Sequence, residues 1–345
     1  MKKLNIKALF MVLIAAIALV GCGSGANTDG GNNDEKTVVM VADVGGVNDQ
    51  SYNQGAWEGL QNLTKNTGIK TSFIETVQMS DLDTNFDSAV DGDHELIWGI
   101  GFNTANPIVK SAQMNPNLKY AIVDYVIDAA DAPNVTSAMF QIEQASFLAG
   151  YIAGMTTETN KVAYVGGQKS PAMDKFEYGF AAGAKYAAKE LGKDIVVTVQ
   201  IAETFSDAAK GKAIAASLYN DGHDVIFQAA GAAGTGVIEQ AVEENKWVVG
   251  VDRDQSYLAP KNMLTSALKN VGLVTEDLSK RILDGEDLAG KVIEYGVHNG
   301  GVGIPTENPN ISSELYEKTM EVEALIKDGT IVVPADQEAY DAFIK

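Results

Sequence analysis

The chain has 345 residues, with 46 acidic against 26 basic side chains and a formal net charge of −20 at pH 7. So anionic a surface disfavours nucleic acid and anionic lipid headgroups as partners. Its single cysteine excludes an intrachain disulfide, so stability has to come from buried apolar surface, and a chain of this length supplies enough for two lobes.

Lys2, Lys3 and Lys7 precede an uncharged stretch from Ala8 to Val20. A basic start followed by a short apolar run is the pattern of a secretory signal peptide, and the run falls short of the ~20 apolar residues of a membrane span. It ends in Leu19-Val20-Gly21-Cys22, with the only cysteine directly after a small residue. This order resembles the bacterial lipobox. The resemblance implies removal of residues 1–21 and acylation of Cys22, with diacylglycerol on its thiol and palmitate among the acyl chains. Each buried methylene contributes about 0.8 kcal/mol, so two or more chains would anchor the protein firmly to the outer face of a bacterial cell membrane. Residues 22–36 are rich in Gly, Ser, Asn and Asp and read as a flexible tether.

From Thr37 strand and helix patterns alternate. Thr37–Ala42 is a β-branched, apolar run, and Tyr52–Lys65 has helical spacing through Trp57, Leu60 and Leu63. Thr71–Val77, Leu96–Ile100 and Tyr120–Val123 read as strands, with helices over Leu82–Val90 and Ala105–Met114 between them. The pattern restarts after Val135. Helices are expected over Glu143–Met155, Ala172–Leu191, Asp207–Tyr219 and Gly236–Glu244, and strands over Val162–Val165, Ile195–Ile201, Val225–Phe227 and Trp247–Val251. Continuous apolar strands flanked by amphipathic helices predict parallel sheets covered on both faces. Beyond them lie a strand at Met263–Leu268, a helix at Leu273–Leu283, a strand at Val292–Gly296 and a long amphipathic helix at Ser313–Lys327. These fit a chain that crosses between lobes more than once. The expected division is 37–138 plus 256–295 for lobe one and 139–255 plus 296–345 for lobe two.

In open parallel α/β sheets, ligands bind beyond the carboxyl ends of the strands. The residues just past those ends here are Asp43, followed by Gly45-Gly46-Val47-Asn48-Asp49 and Ser51-Tyr52-Asn53; Gly101-Phe102-Asn103; Asp124-Tyr125; Phe227, running into Gly231; and Asp252-Arg253-Asp254-Gln255. Carboxylates, an amide and aromatics on strand ends of both halves suit a cleft ligand with a flat ring and several hydroxyls. A carboxylate accepts hydrogen bonds from vicinal hydroxyls or a base edge, and an aromatic face stacks a base for about 1–3 kcal/mol. An aspartate at a strand end is equally a common helix cap or Asx-turn residue, so the joint placement carries the argument and no single one does.

Three motifs in order, Asp43-Val44-Gly45-Gly46-Val47-Asn48-Asp49 with Ser51-Tyr52-Asn53-Gln54, Phe227-Gln228-Ala229-Ala230-Gly231, and Val249-Gly250-Val251-Asp252-Arg253-Asp254-Gln255, resemble the basic membrane protein family of bacterial lipoproteins. The resemblance runs from Val38 to the end of the chain. It implies a type I periplasmic-binding-protein fold, two doubly wound parallel-sheet lobes joined by a multi-strand hinge, and a receptor that binds a purine nucleoside (adenosine, guanosine or inosine) and delivers it, as a monomer, to an ABC permease. On that pattern Tyr52 and Phe227 would stack the two faces of the purine. Asn53 and Asp124 would bind the base edge, with Asp43 lining the pocket. Asp252 would grip the ribose hydroxyls, assisted by Lys269 and the backbone N–H groups of the Gly231 loop. Tyr52 departs from the pattern by adding a hydroxyl that needs a partner, and Ala232 and Ala233 stand where consecutive glycines are frequent.

Other signals fail. Gly231-Ala232-Ala233-Gly234-Thr235-Gly236 reverses the dinucleotide-binding spacing, and the run from Asp81 lacks the glycine and glutamate of a calcium loop. His94, His223 and His298 lack metal-ligand spacing, and no nucleophile motif occurs, so no cofactor, metal or covalent chemistry is expected. A nucleoside hydrolase would cluster its aspartates close together in sequence, whereas Asp43, Asp124 and Asp252 lie far apart. A sugar or autoinducer receptor of the same fold is the other alternative, and would need no purine-edge pair. A scaffold for adhesion is a third, without a motif to support it.

Overall fold

The structure is a computed structural model and describes residues 36–345. The expected signal peptide, Cys22 and the expected tether up to residue 35 lie outside the described residues. The chain begins with β1 (Thr37–Val44), α1 (Tyr52–Thr67), β2 (Lys70–Thr76), α2 (Leu82–Asp91), β3 (Leu96–Ile100), α3 (Ala105–Met114), β4 (Lys119–Val123) and β5 (Val135–Phe140). It crosses to a second lobe as α4 (Ile142–Thr156), β6 (Lys161–Gly166), α5 (Pro171–Leu191), β7 (Val196–Ile201), α6 (Ala208–Asn220), β8 (Val225–Ala229), α7 (Ala232–Glu243), β9 (Trp247–Asp252) and β10 (Met263–Lys269). α8 (Val271–Leu283) and β11 (Val292–Tyr295) return to the first lobe, and β12 (Val302–Gly303), α9 (Ser313–Lys327) and α10 (Gln337–Phe343) complete the second.

Among the described residues the strands form two six-stranded sheets, ordered β11-β5-β4-β3-β1-β2 and β12-β10-β9-β8-β6-β7. The pairings are parallel except for β12, which runs antiparallel to β10. The chain therefore passes between lobes three times, after Phe140, after Lys269 and over residues 296–301. Gln141 N–H donates to Tyr295 O at 2.8 Å and Asn270 N–H to Gly301 O at 2.9 Å, lashing the crossings together.

β10 belongs to the second sheet, where Ser266 pairs with Gly250 of β9. The sequence division had put 256–295 with the first lobe; only its later part, α8 and β11, lies there. β5 was not anticipated as a strand because Thr136 and Ser137 interrupt its apolar run. Both are buried, and their hydroxyls are satisfied: Thr136 donates to Leu288 O at 3.0 Å and Ser137 accepts from Ile127 N–H at 3.0 Å. Partnered hydroxyls of this kind can enter a core that unpartnered ones cannot.

Helix ends follow their caps. Ser170 accepts from Met173 N–H with Pro171 in the first turn of α5, Asp207 caps α6 and Ser312 caps α9. In the second lobe α4 and α5 meet backbone to backbone through small residues. A Cβ on Gly183 would stand 2.0 Å from Phe147 O, and one on Gly150 2.1 Å from Phe180 O. Substituting Gly183→Ala forces the two helices apart and is expected to lower unfolding stability by about 1–3 kcal/mol. Urea denaturation reads it, and an unchanged midpoint would show that the seam gives way freely.

Candidate functional site

The carboxyl ends of the two sheets face each other across a cavity lined by residues of both lobes. Seven of the eight residues expected from sequence line it: Asp43, Tyr52, Asn53 and Asp124 from the first lobe, and Gly231, Asp252 and Lys269 from the second. Phe227 is the exception. It is fully buried in β8 beneath the cavity, its ring centroid 5.2 Å from that of Phe180 and 5.6 Å from that of Tyr164. Residues of a strand alternate between faces, and Ala229, two positions nearer the strand end, is the one that reaches the cavity. The aromatic surface comes instead from Phe176 of α5, with Phe102 and Phe205. Phe205 stands a few residues past the end of β7, where the strand-end rule could have found it. Phe176 lies on the second turn of a helix, where that rule has no reach.

Several polar groups are committed to one another. The Asp43 carboxylate accepts from Asn103 Nδ2 at 3.0 and 3.1 Å and from Val44 N–H at 2.7 Å. The Asn53 amide clasps the Asp43 backbone, accepting its N–H at 3.1 Å and donating to its carbonyl at 3.4 Å. Asn53 therefore braces the end of β1. Asp49, unassigned from sequence, takes the N–H groups of Ser51, Asn53 and Gln54 at 2.9, 2.9 and 3.1 Å and so holds the start of α1. Asp49 stands two residues ahead of the N-cap Ser51, and an Asx turn there was the available signal.

The remaining groups meet across the cleft. Ser51 Oγ donates to Asp252, and Lys269 forms an ion pair with Asp124. At the rim Gln255 Nε2 donates to Gln50 O at 2.8 Å, Tyr257 Oη to Gln50 Oε1 at 2.6 Å, and Arg253 Nη1 to Glu58 Oε1 at 3.0 Å. The lobes are thus closed on one another. The Lys269 ammonium also lies 4.6 Å from the Tyr52 ring centroid and 5.1 Å from that of Phe140, a cation–π arrangement that occupies one face of Tyr52.

Asp124 and Asp252 follow or end their strands with φ of +67° and +63°. Asp tolerates this left-handed conformation better than most residues, and the turn it makes directs each chain on from the sheet edge. Gly231, with φ +56° and ψ −133°, turns the chain after β8 in a conformation open to glycine. α7 starts immediately after it, one turn earlier than the spacing predicted, so Ala232, Ala233 and Gly234 are helical and only Gly231 lines the cavity.

Among the described residues no group of three or more His, Cys, Asp or Glu side chains could hold a metal ion. His223 is spent on Leu218 O and Thr198 Oγ1, and His94 on Thr37 Oγ1.

The sequence profile described as "ABC transporter substrate-binding protein PnrA-like", of the Bmp family, matches residues 36–337. The chain belongs to the Bmp family. Its Bmp relatives include the ABC transporter nucleoside-binding protein BmpA of Lactococcus lactis subsp. cremoris, 38% identical over 97% of this chain and 100% of that protein. Basic membrane protein D of Borreliella burgdorferi is 35% identical, covering 98% of each chain. In structure this Bmp chain resembles an ABC transporter solute-binding protein from Aeropyrum pernix K1, with a TM-score of 0.80 and 24% identity over 89% of this chain and 96% of that one. The two-lobed sheets with three crossings are the type I periplasmic-binding-protein fold that such neighbours share.

Burial pushes the Asp43 carboxyl up to about 6, against the pull of Val44 N–H and Asn103, and burial likewise pushes Asp252 up to about 6, against the pull of Lys269 and Ser51. A carboxyl raised in this way keeps its proton in the folded chain where the unfolded chain has lost it. The resulting stability is fully present below the unfolded value of 3.8 and is lost as pH rises through about 6. Asp252→Asn removes one such loss. The variant is expected to gain on the unaltered protein between these pH values, by up to about 3 kcal/mol, in denaturation titrations at a series of pH values. A constant difference across that range would rule out the coupling.

Proposed function

We propose that this Bmp-family protein is the receptor of an ABC importer, exported, anchored to the cell membrane by lipid on Cys22, and closing on a purine nucleoside for delivery to its permease. Among the described residues no helix is long and apolar enough to cross a membrane, so attachment would rest on the acylated N-terminus. The single observation that carries the ligand assignment is the joint lining of one cavity by strand-end carboxylates and aromatic rings drawn from both lobes. A nucleoside offers a flat, weakly polar base to the rings and vicinal hydroxyls to a carboxylate. The relative in Lactococcus lactis named as nucleoside-binding supports the same reading.

In this reading Asp252 exchanges Ser51 for the ribose hydroxyls, with Lys269 placed between that carboxylate and Asp124. The base lies against Phe176 and Tyr52. This revises the pairing expected from sequence, because Phe227 is covered and one face of Tyr52 is taken by Lys269. Gly231 brings backbone close to the ligand, and Asp43 and Asn53 keep the β1 end in place. No bond is made or broken. Closure would generate the shape that the permease recognises.

Denaturing mass spectrometry of protein purified without added ligand tests the assignment. A released nucleoside is the expected outcome, and a released sugar would favour the alternative receptor. Calorimetry with inosine, guanosine and adenosine should find Asp252→Ala weaker by about 2–4 kcal/mol, because a charge-assisted contact and its buried partners go together. Unaltered affinity would overturn the ribose assignment. In membrane fractionation Cys22→Ser should move the full-length protein into the soluble fraction.

A further inference from the structure

A second hollow adjoins the cavity between the lobes. Phe102, Asp124 and Ala172 line both. They come from both lobes, and each is partly exposed, so the partition between the two spaces is not closed core. Beyond them the hollow is walled by Val126, Met139, Ile142 and Pro171. Tyr125 and Val126, which follow β4 and also line it, are 45% and 50% exposed. Contiguous apolar surface left open beside a polar cleft marks a place for a ligand group.

The polar groups of the hollow are largely engaged. Lys175 Nζ donates to Phe140 O at 3.1 Å and lies 3.7 Å from Glu143 Oε2. Ser170 Oγ caps α5, and Asp124 is paired with Lys269. The hollow therefore offers mainly apolar surface, in contrast to the carboxylates of the cavity it joins. Its position decides which end of a ligand reaches it. Asp124 lines both spaces, whereas Asp252 lines the cavity alone. With the ribose at Asp252 and the base against Phe176, the base edge is the end beside the hollow.

We propose that this hollow is a subsite for an apolar substituent on the bound base, which extends the ligands of this protein to base-alkylated purine nucleosides. The inference rests on the nucleoside reading above and adds a part of the ligand which that reading leaves open. An alkyl group on the base edge passes Ala172, whose side chain is a single methyl, and exchanges water for Val126, Met139 and Ile142. Each methylene buried in this way strengthens binding by up to about fourfold. An alkyl group at the ribose end meets the Asp252 carboxylate and has no such place.

The test compares alkyl series titrated by calorimetry. N6-alkyl adenosines and N2-alkyl guanosines, from methyl to butyl, extend the base, and 5′-alkylthio-5′-deoxyadenosines extend the ribose. In at least one base series affinity should rise about two- to fourfold with each added methylene, and the ribose series should not rise. Base series that both stay flat or fall overturn the proposal, and so does a ribose series that rises. Val126→Trp fills the hollow from its exposed rim and touches no group assigned to the nucleoside. It should bind the unsubstituted nucleoside within about twofold of the unaltered protein and lose the gain of the butyl compound. A gain that survives in Val126→Trp places the alkyl group elsewhere and overturns the proposal. The series on the unaltered protein decide without the variant, whatever its folding. Should adenosine, guanosine and inosine all fail to bind, the nucleoside reading falls as well, an outcome distinct from parent nucleosides that bind without a gain in either base series.

Discussion

The Lys269 ammonium, at the last position of β10, meets the Asp124 carboxylate across the cleft and lies 4.6 Å from the Tyr52 ring centroid, 5.1 Å from that of Phe140 and 5.9 Å from that of Phe176. Among the residues lining the cavity it is the only cation against four carboxylates, Asp43, Asp49, Asp124 and Asp252. Carboxylates this poorly hydrated are tolerated when paired or richly hydrogen-bonded. Asp43 and Asp49 satisfy that condition with amide and backbone donors inside their own lobe. Asp124 satisfies it by pairing with Lys269 of the other lobe, and Asp252 is held by Ser51 and by the nearby charge of Lys269. The residue after Lys269 begins the second crossing between lobes. The charge balance of the cavity is therefore tied directly to the hinge.

That arrangement explains why the site is built from strand ends. A parallel sheet delivers successive side chains to one edge, and two sheets set edge to edge bring residues distant in sequence to one volume. Asp124 and Asp252 leave their strands in the left-handed conformation. Strain of this kind persists where the surroundings over-determine it, and here an ion pair and a serine hydroxyl do so.

Most of this was legible in the sequence, and the exceptions have physical reasons. Apolar runs between amphipathic helices gave away the parallel sheets, and the polar residues past each run identified the cavity. β5 escaped because buried hydroxyls with backbone partners imitate a loop. β10 was credited to the wrong lobe because a strand carries no record of which sheet it joins; that is decided by pairing with β9. Phe227 was misplaced by one pleat, since an apolar run fixes the strand but not how far its last aromatic stands from the edge. The engagement of Asn53 and Asp43 with each other was also hidden, because composition cannot tell a side chain aimed at a ligand from one bracing its own backbone.

The glycine seam between α4 and α5 bears on energetics as well as packing. With Gly150 and Gly183 allowing main chains to touch, the second lobe has little internal slack through which closing forces could be absorbed. Bending is left to three short crossings, already stitched together by Gln141 and Asn270. Few dihedral angles would then be frozen in closing on a solute, and less of the interaction free energy would be consumed by ordering. A looser seam would turn the same contacts into a weaker receptor without altering a single residue that touches the solute.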